Sequence, residues 1–426
     1  MRVIVIGGGA VGLCVAEALS ARDCEVMVIE RDRCGAGASA GNAGWITPSL
    51  ATPVPGPGVI AASLRWLVDP SGPLWIRPTL SPALLEWIAR FALSSRRSVY
   101  QRGLVALQRA SALARPAFDA LADRGVKFER HADPLLYPCF DLAELEHVWR
   151  VAEELGQAGS DQQFERVSAE HLRSLEPGLG PDLIGGVIAH GEGRVRPESL
   201  TVGVHRAILA QGVEVREGAP VTRLTRAGRE WLVHGPGGAA RETDAVVIAG
   251  GVDSARLLAP HGVRLPLAAA KGYSRTYPID PSGPRQPLYL ENPKVAISVY
   301  AEAVRVSGTL ELGAQGLALS ARRLAAIAGA AQRALPGWQM PAQSRDWAGM
   351  RSLTPDGLPY IGPVPGLDGV HLTTGHATLG ITLAPVTGEL MAERLLDGAQ
   401  SELLSAFDPS RAMRAGTAKA KIGGAR

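Results

Sequence analysis

"RVIVIGGGAVGLCVAEALSARDCEVMVIE", residues 2–30, decides the fold. Its opening run, "RVIVI", is short and β-branched and ends in glycine, the pattern of a strand buried in a parallel sheet. "AVGLCVAEALSAR" follows with apolar residues at helical spacing, and "EVMVIE" reads as a second strand. Strand, helix and strand in this order make a βαβ unit.

Between the strands lies "GGGAVG", in which Gly7, Gly9 and Gly12 fit the pattern GxGxxG. The first glycine permits the tight turn, the second lets a pyrophosphate approach the backbone, and the third allows close helix–strand packing. The helix N-terminus adds N–H groups and the positive end of its dipole. Glu30 closes the second strand 18 residues after Gly12, where a carboxylate can bind ribose hydroxyls. A glycine loop used only for packing is the weaker reading of a segment that joins two strands and ends in a carboxylate. The context predicts a dinucleotide site.

The whole chain has 426 residues, more than one hydrophobic core usually serves, so two domains are expected. Its 46% hydrophobic and 20% charged residues describe an ordinary globular protein. A net charge of +3, dispersed along the chain, does not suggest nucleic-acid binding. The four cysteines, Cys14, Cys24, Cys34 and Cys139, include no CxxC pair, which excludes the usual zinc-ribbon and iron–sulfur spacings. They read as reduced thiols. The apolar run in "MRVIVIGGGA" is too short for a secretion signal, so a cytoplasmic location is expected. Four prolines in "WITPSLATPVPGPGVIAASL" exclude a spanning helix there.

Residues 78–126 are largely helical by pattern, and "ESLTVGVHRAILAQG" is an amphipathic helix. "DAVVIAGG", from 244, is a second apolar strand ending in glycines, which suggests one sheet visited repeatedly by the chain. Residues 129–191 and 265–345 are richer in alternating patterns, and "VAISVYAEAVRVSGTLEL" is their clearest antiparallel pair. They read as a β-rich domain inserted into the first, which then comprises 1–128, 192–264 and 346–426. The tail "RAMRAGTAKAKIGGAR" reads as a solvated, disordered end.

Further segments carry a family resemblance. The GGGAVG loop with Glu30, "GNAGWITPSLATPVPGPG" (41–58), "KGYS" (271–274), "WAGMRSLTPDG" (347–357) and "TGHATLGITLAPVTGEL" (374–390) occur in the order found in bacterial D-amino-acid dehydrogenases. Those belong to a larger group with glycine oxidase, sarcosine oxidase and D-amino-acid oxidase. The resemblance spans nearly the whole chain. It implies an α/β flavoprotein: a Rossmann-like, glutathione-reductase-type FAD-binding domain, with an inserted β-rich substrate domain covering the flavin.

By the same resemblance, Gly7, Gly9 and Gly12 cradle the FAD pyrophosphate, and Glu30, with Arg31 beside it, serves the adenosine ribose. Ser39, Asn42 and Ala43 lie in a loop that approaches the pyrophosphate and flavin. Asn42 reads equally as a turn residue and Ser39 as a helix cap. Val221 matches a position whose backbone faces adenine. Gly375 to Thr382, with Thr378, Leu379, Gly380 and Ile381 between them, pass beside the flavin pyrimidine ring. "ITLAPVTGELMAERLL", from Ile381, reads as a helix whose N-terminus can stabilise negative charge there.

Flavin-dependent amine oxidation moves a hydride from the substrate Cα to flavin N5 and leaves an imine for water to hydrolyse. The protein must chiefly orient the substrate. Arg351 is the best candidate to hold a carboxylate, because a guanidinium offers a planar, bidentate fork and this arginine matches the family's W-A-G-x-R segment. The competing reading pairs it with Asp346 or Asp356. Lys271, Tyr273, Tyr289, Tyr300 and Tyr360 are weaker candidates, Tyr273 being taken with Arg351 as catalytic. His376 is the third such candidate, at the flavin edge or as a loop histidine held by the backbone. No histidine falls into a metal or nucleophile motif.

The resemblance implies an amino-acid or imino-acid substrate, D-proline and D-hydroxyproline included, and a quinone or other electron acceptor. An oxygen-using glycine- or sarcosine-type oxidase is the alternative within enzymes. A flavin-binding electron-transfer subunit working with a partner, and an NAD-binding sensor, are alternatives of other classes. In "GVIAASLRWLVDPSGPLWIRP", Trp66, Leu67, Leu74 and Trp75 either rest on the inner membrane surface or cover the core.

Overall fold

A computed structural model describes residues 1–59, 72–77, 81–314 and 316–413. The "RVIVI" and "EVMVI" runs form strands Arg2–Ile6 and Glu25–Ile29, joined by a helix at Ala10–Ser20. They enter a six-stranded sheet in the order Glu214–Arg216, Glu25–Ile29, Arg2–Ile6, Ala245–Ile248, Val370–Thr374, Tyr360–Pro363. The first five strands run parallel and Tyr360–Pro363 pairs antiparallel at the edge. Their continuous apolar runs follow from burial on both faces: helices cover one, and on the other Leu224, Trp231 and Val233 of the antiparallel strands Arg223–Ala227 and Glu230–His234 pack against Ile4, Ile6, Val246 and Ile248. Leu13, Leu19 and Met391 pack with Val3, Val5 and Val247 in one core on the helix side.

Glycines set how closely the layers approach. A Cβ on Gly12 would stand 2.0 Å from the carbonyl oxygen of Gly7, so the helix can sit this close to the strand end only without one. A Cβ on Gly388 would lie 2.5 Å from Cys14 O, which lets helix Ala384–Leu396 lie against Ala10–Ser20.

The second body is a nine-stranded, mostly antiparallel sheet. Its main path runs Arg345–Leu353, Ala268–Pro278, Ala303–Leu312, Val295–Val299, Leu288–Leu290, Leu135–Cys139, Gly185–Ala189, Phe164–Ser168. The antiparallel pair expected within 295–312 forms with Val299 opposite Val304. Helix Ala321–Ala334 covers one face, burying Leu324 and Ile327 against Tyr273, Val306 and Trp338. The Arg345–Leu353 strand, which the sequence bounds assign to the first domain, is the edge of this sheet.

Leu74–Ile76 pairs parallel with Leu310–Leu312. Leu74 packs against a small core with Trp87, and Trp75 lies beneath the Arg323 guanidinium. Trp66, Leu67 and the tail beyond residue 413 lie outside the described residues. No helix among the described residues is long and apolar enough to cross a membrane. Cys14, Cys24, Cys34 and Cys139 are free thiols.

Candidate active site

A cleft of about 490 Å³ runs between the carboxyl ends of the parallel strands and the edge of the large sheet. That is where open α/β sheets bind ligands. One wall carries Gly7, Gly9, Gly12, Glu30, Arg31, Ser39 and Asn42, together with residues 249–253. The other carries Ala269 and residues 348–352, and Val221, His376, Gly380 and Ile381 are also part of the lining.

The glycine loop is shaped for something other than protein. Gly7 has φ +114° and a Cβ there would meet Ala249 O at 2.5 Å, so fold geometry alone requires it. Gly9 differs: a Cβ would meet only Ser39 Oγ, at 3.6 Å. Its bare backbone therefore faces open cleft. Ser39 Oγ accepts from Ala10 N–H at 3.0 Å, while the N–H groups of Val11 and Gly12 have no partner among the described residues. Unpaired N–H groups at a helix start, beside a backbone without a side chain, suit a pyrophosphate. These residues fit a dinucleotide.

Glu30 is held rigidly. Its Oε2 accepts from Gly8 N–H at 2.6 Å and its Oε1 from Asp32 N–H at 2.9 Å, leaving further lone pairs toward the cleft. Arg31 donates to Asp253 at 2.5 Å and to Asp32 at 3.1 Å. Among the described residues, neither the N–H nor the carbonyl of Val221 has a partner. Asn42 is a turn residue, its Oδ1 accepting from Gly44 N–H at 2.8 Å. The large sheet pins this loop: Ser298 Oγ and Tyr300 Oη donate to Ala43 O at 2.8 and 2.7 Å, and Arg305 Nη1 to Asn42 O at 2.8 Å.

At the far end, the helix expected from Ile381 begins at Ala384, after a turn. Among the described residues the N–H groups of Gly380, Ile381 and Thr382 have no partner, and Thr382 Oγ1 donates to Trp45 O at 2.8 Å. Gly375 is a packing glycine, with φ +81° and a Cβ position 2.4 Å from Thr354 Cγ2. Ala43, Gly375, Leu379 and Thr382 are near neighbours of the cleft rather than its wall, and Thr378 is exposed.

Arg351 sits on the edge strand with Trp347 and Gly349 on the same face. Burial pulls its guanidinium down to about 10, and the nearby Tyr289 phenol opposes that shift. Its single hydrogen bond among the described residues runs from Nη1 to Thr309 O at 3.1 Å. No carboxylate among the described residues pairs with it. The two that the sequence offered are taken: Asp346 by Arg275 at 2.6 and 2.8 Å, and Asp356 by Arg411 at 2.8 Å. The ion-pair reading of Arg351 is therefore corrected. Tyr289 Oη is likewise without a hydrogen-bond partner among the described residues.

The other two catalytic candidates are engaged elsewhere. Tyr273 is fully buried in the core beneath helix Ala321–Ala334, and its hydroxyl donates to Glu311 at 2.8 Å. It does not reach the cleft, because the strand's alternation turns it to the opposite face. His376 lines the cleft, but its Nε2 shares a 2.9 Å hydrogen bond with Thr387 Oγ1, and burial lowers its pKa to about 4. It is a neutral, tethered ring. Lys271 donates to Ala318 O at 2.9 Å, and Tyr300 and Tyr360 are core residues.

Sequence reading missed Gly272, which lies across from Gly349 on the adjoining strand. A Cβ there would stand 2.6 Å from Arg351 Cζ. It also missed the wall at 249–253, for which "DAVVIAGG" carried the signal of a strand ending in glycines.

A model of the FAD dependent oxidoreductase family matches residues 2–394. The D-amino acid dehydrogenase of Xanthobacter autotrophicus is 33% identical over 401 residues, covering 92% of this chain and 94% of that one. That of Xylella fastidiosa strain 9a5c is 34% identical over 404 residues, covering 92% and 91%. Among solved structures, glycine oxidase from Geobacillus kaustophilus superposes with a TM-score of 0.76 at 22% identity, over 96% of this chain and 99% of its own. L-proline dehydrogenase from P. horikoshii gives 0.70 at 19% identity, over 96% and 97%. Likeness at that identity concerns the fold.

Proposed function

The chain belongs to the family of FAD-dependent oxidoreductases, and from that premise we propose that it oxidises a D-amino acid and delivers the electrons to an acceptor other than oxygen. FAD is its cofactor and amino acids are its class of donor. When bound, FAD supplies the two-electron acceptor that takes the hydride from the substrate Cα.

The chain's own residues divide the remaining work. Gly9 and the N–H groups of Val11 and Gly12 would receive the pyrophosphate, and Glu30 the adenosine ribose. The unpaired N–H and carbonyl of Val221 match the donor and acceptor of adenine's pairing edge. The N–H groups of Gly380, Ile381 and Thr382 would face the electron-rich edge of the flavin ring. The body built on the parallel sheet is thus the cofactor domain, and the large sheet, Arg345–Leu353 included, the substrate domain.

The observation that carries the substrate class is Arg351: a half-buried guanidinium on the cleft wall with no carboxylate partner among the described residues. An unpaired buried charge is costly, so a ligand carboxylate is its natural complement. The Tyr289 hydroxyl, close enough to Arg351 to oppose the shift of its pKa, would give a second bond to that carboxylate. No large-sheet residue lining the cleft carries a carboxylate, and His376 is tethered, so the substrate ammonium gives its proton to solvent before oxidation. The D configuration rests on the dehydrogenase relatives. A quinone is the acceptor we favour on the same ground, and it would bring the chain to the cytoplasmic face of a membrane as a peripheral protein.

Anaerobic addition of paired D- and L-amino acids, D-proline among them, to the purified yellow protein tests this reading. D isomers are expected to bleach the flavin. Bleaching by L isomers alone, or by none, overturns it. Peroxide release in air as fast as dye reduction would favour the glycine-type oxidase instead.

A further inference from the structure

Behind the glycine loop, outside the cleft lining, Cys34 Sγ, a ring nitrogen of His205 and a carboxylate oxygen of Glu217 lie within 4.8 Å of one another. We propose that these three side chains bind one divalent metal ion of the zinc class, with a fourth coordination position open to solvent.

The three come from separately anchored segments. Cys34 N–H donates to Glu217 Oε1 at 2.7 Å, which leaves Glu217 Oε2 for a metal. Beside Cys34, Gly35 N–H donates to Gly8 O at 2.8 Å. Glu217 follows the strand Glu214–Arg216, and the next two N–H groups, of Gly218 and Ala219, donate to Asp32 O and Glu30 O at 2.7 and 2.9 Å. His205 lies one turn beyond Thr201 on helix Pro197–Ala210, and Thr201 packs so tightly on Gly35 that a Cβ there would stand 2.5 Å from Thr201 Oγ1. His205 makes no hydrogen bond to the described residues, so both ring nitrogens are available.

Thiolate, imidazole and carboxylate form a tetrahedral donor set for zinc, with bonds of about 2.0–2.3 Å. Magnesium and calcium prefer oxygen alone. Tetrahedral bonds of that length bring ligand atoms to about 3.3–3.8 Å from one another. The present spacing closes to this by side-chain rotation, because Cys34 and His205 are half-buried and Glu217 is exposed. On binding, the Cys34 thiol gives its proton to solvent as the sulfur–metal bond forms, and nothing is oxidised or reduced. The bland alternative is that Cys34 merely fills space against Gly8, where a Cβ would meet its Sγ at 2.5 Å. Packing of that kind does not call for a partnerless histidine and a carboxylate gathered on the same sulfur. A bound ion would tie the segment carrying Glu30 to helix Pro197–Ala210.

The test is titration of the FAD-loaded protein with cobalt(II), followed by zinc, read independently of amine oxidation. One cobalt per chain is expected, with the d–d bands of a four-coordinate thiolate site at wavelengths beyond the flavin absorption. One equivalent of zinc should remove those bands, and magnesium should not. Cys34→Ser and His205→Gln should each weaken binding by more than about 100-fold, above the usual loss for an outer-shell partner, with FAD content retained. As a check on the unaltered chain, zinc should protect Cys34 from alkylation. Absence of the thiolate–cobalt spectrum, its survival in Cys34→Ser, or alkylation of Cys34 unaffected by zinc would each overturn the site.

Discussion

The Arg351 guanidinium fills the space over Gly272: a Cβ on that glycine would stand 2.6 Å from both Cζ and Nη1. Both residues lie on adjoining antiparallel strands, and the missing side chain of one is the seat of the other's charge. Gly272→Ala should therefore move the guanidinium while sparing the backbone, since the displaced atoms are the end of a flexible side chain. The expected outcome is a lowered kcat/KM for amino acids, with FAD content and Tm close to those of the parent. Steady-state kinetics and flavin absorbance on the same sample check it. Parental kinetics would show that the exact seat of Arg351 is immaterial.

Gly9→Val separates cofactor binding from folding. The backbone of Gly9 has φ −72°, which any residue adopts, and its Cβ would meet only Ser39 Oγ at 3.6 Å. The folded chain tolerates the side chain, but it fills the space facing the cleft. The variant should purify folded and colourless. By contrast, Gly12→Val puts a Cβ 2.0 Å from Gly7 O and should fail to fold. A Gly9→Val protein with one FAD per chain would end the pyrophosphate assignment.

Glu30→Gln should weaken FAD binding by about 1.5–3 kcal/mol, the value of a hydrogen bond to a charged group. That is a factor of about ten to somewhat over a hundred. Because the Glu30 oxygens accept from both Gly8 and Asp32, one of those N–H groups will face an NH₂ in the variant, and a small loss of Tm should accompany the loss of flavin. Equilibrium dialysis with flavin fluorescence measures it. Unchanged affinity would reduce Glu30 to the end of a strand.

What could be read in advance follows from how local each signal is. Gly7, Gly9, Gly12 and Glu30 stand in one βαβ unit, where period, turn and strand end agree, so their common place in the cleft follows from 29 consecutive residues. Whether Arg351 had a carboxylate could not be read, because Asp346 and Asp356 are its sequence neighbours but Arg275 and Arg411 reach them from other segments. Tyr273 failed for a different reason. One residue along a strand reverses the face, and nothing in "KGYS" says which face meets the cleft. Gly272 carried no motif of its own, since its role exists only across a strand pair.

Glu192 should make stability fall at high pH. It is 2% exposed, its Oε1 accepts from Ser49 N–H, its Oε2 has no partner among the described residues, and burial pushes its pKa up to about 8. A carboxyl raised in the fold binds its proton more tightly there than in the unfolded chain, so its contribution is full below the ordinary carboxylate range and is lost as pH rises through about 8. Glu192→Gln removes that ionisation without changing shape. The Tm of the variant minus that of the parent should grow steadily between about pH 4.5 and pH 9. A difference independent of pH would show that Glu192 is ionised in the fold.

Arg351→Ala is the decisive substitution. In the protein as it stands this guanidinium is half-buried, lowered to about 10 and, among the described residues, bonded only to Thr309 O, so its removal breaks no ion pair with them. The Tm should hold or rise, because an uncompensated buried charge is lost. Binding of a carboxylate-bearing amine loses a desolvated, bidentate partner, at a cost of about 2–5 kcal/mol. At about 1.4 kcal/mol per decade, kcat/KM should drop by roughly thirty- to several-thousand-fold. Amines without a carboxylate should lose little, which separates the loss of a clamp from general damage to the cleft. Arg351→Lys should recover little, since a point charge cannot reproduce the planar fork. FAD content should match the parent in both variants, because the cofactor's proposed contacts lie on other residues. Kinetics with D-amino acids and with their decarboxylated amines, alongside flavin occupancy, decide the matter: parental kcat/KM in Arg351→Ala would end the carboxylate assignment.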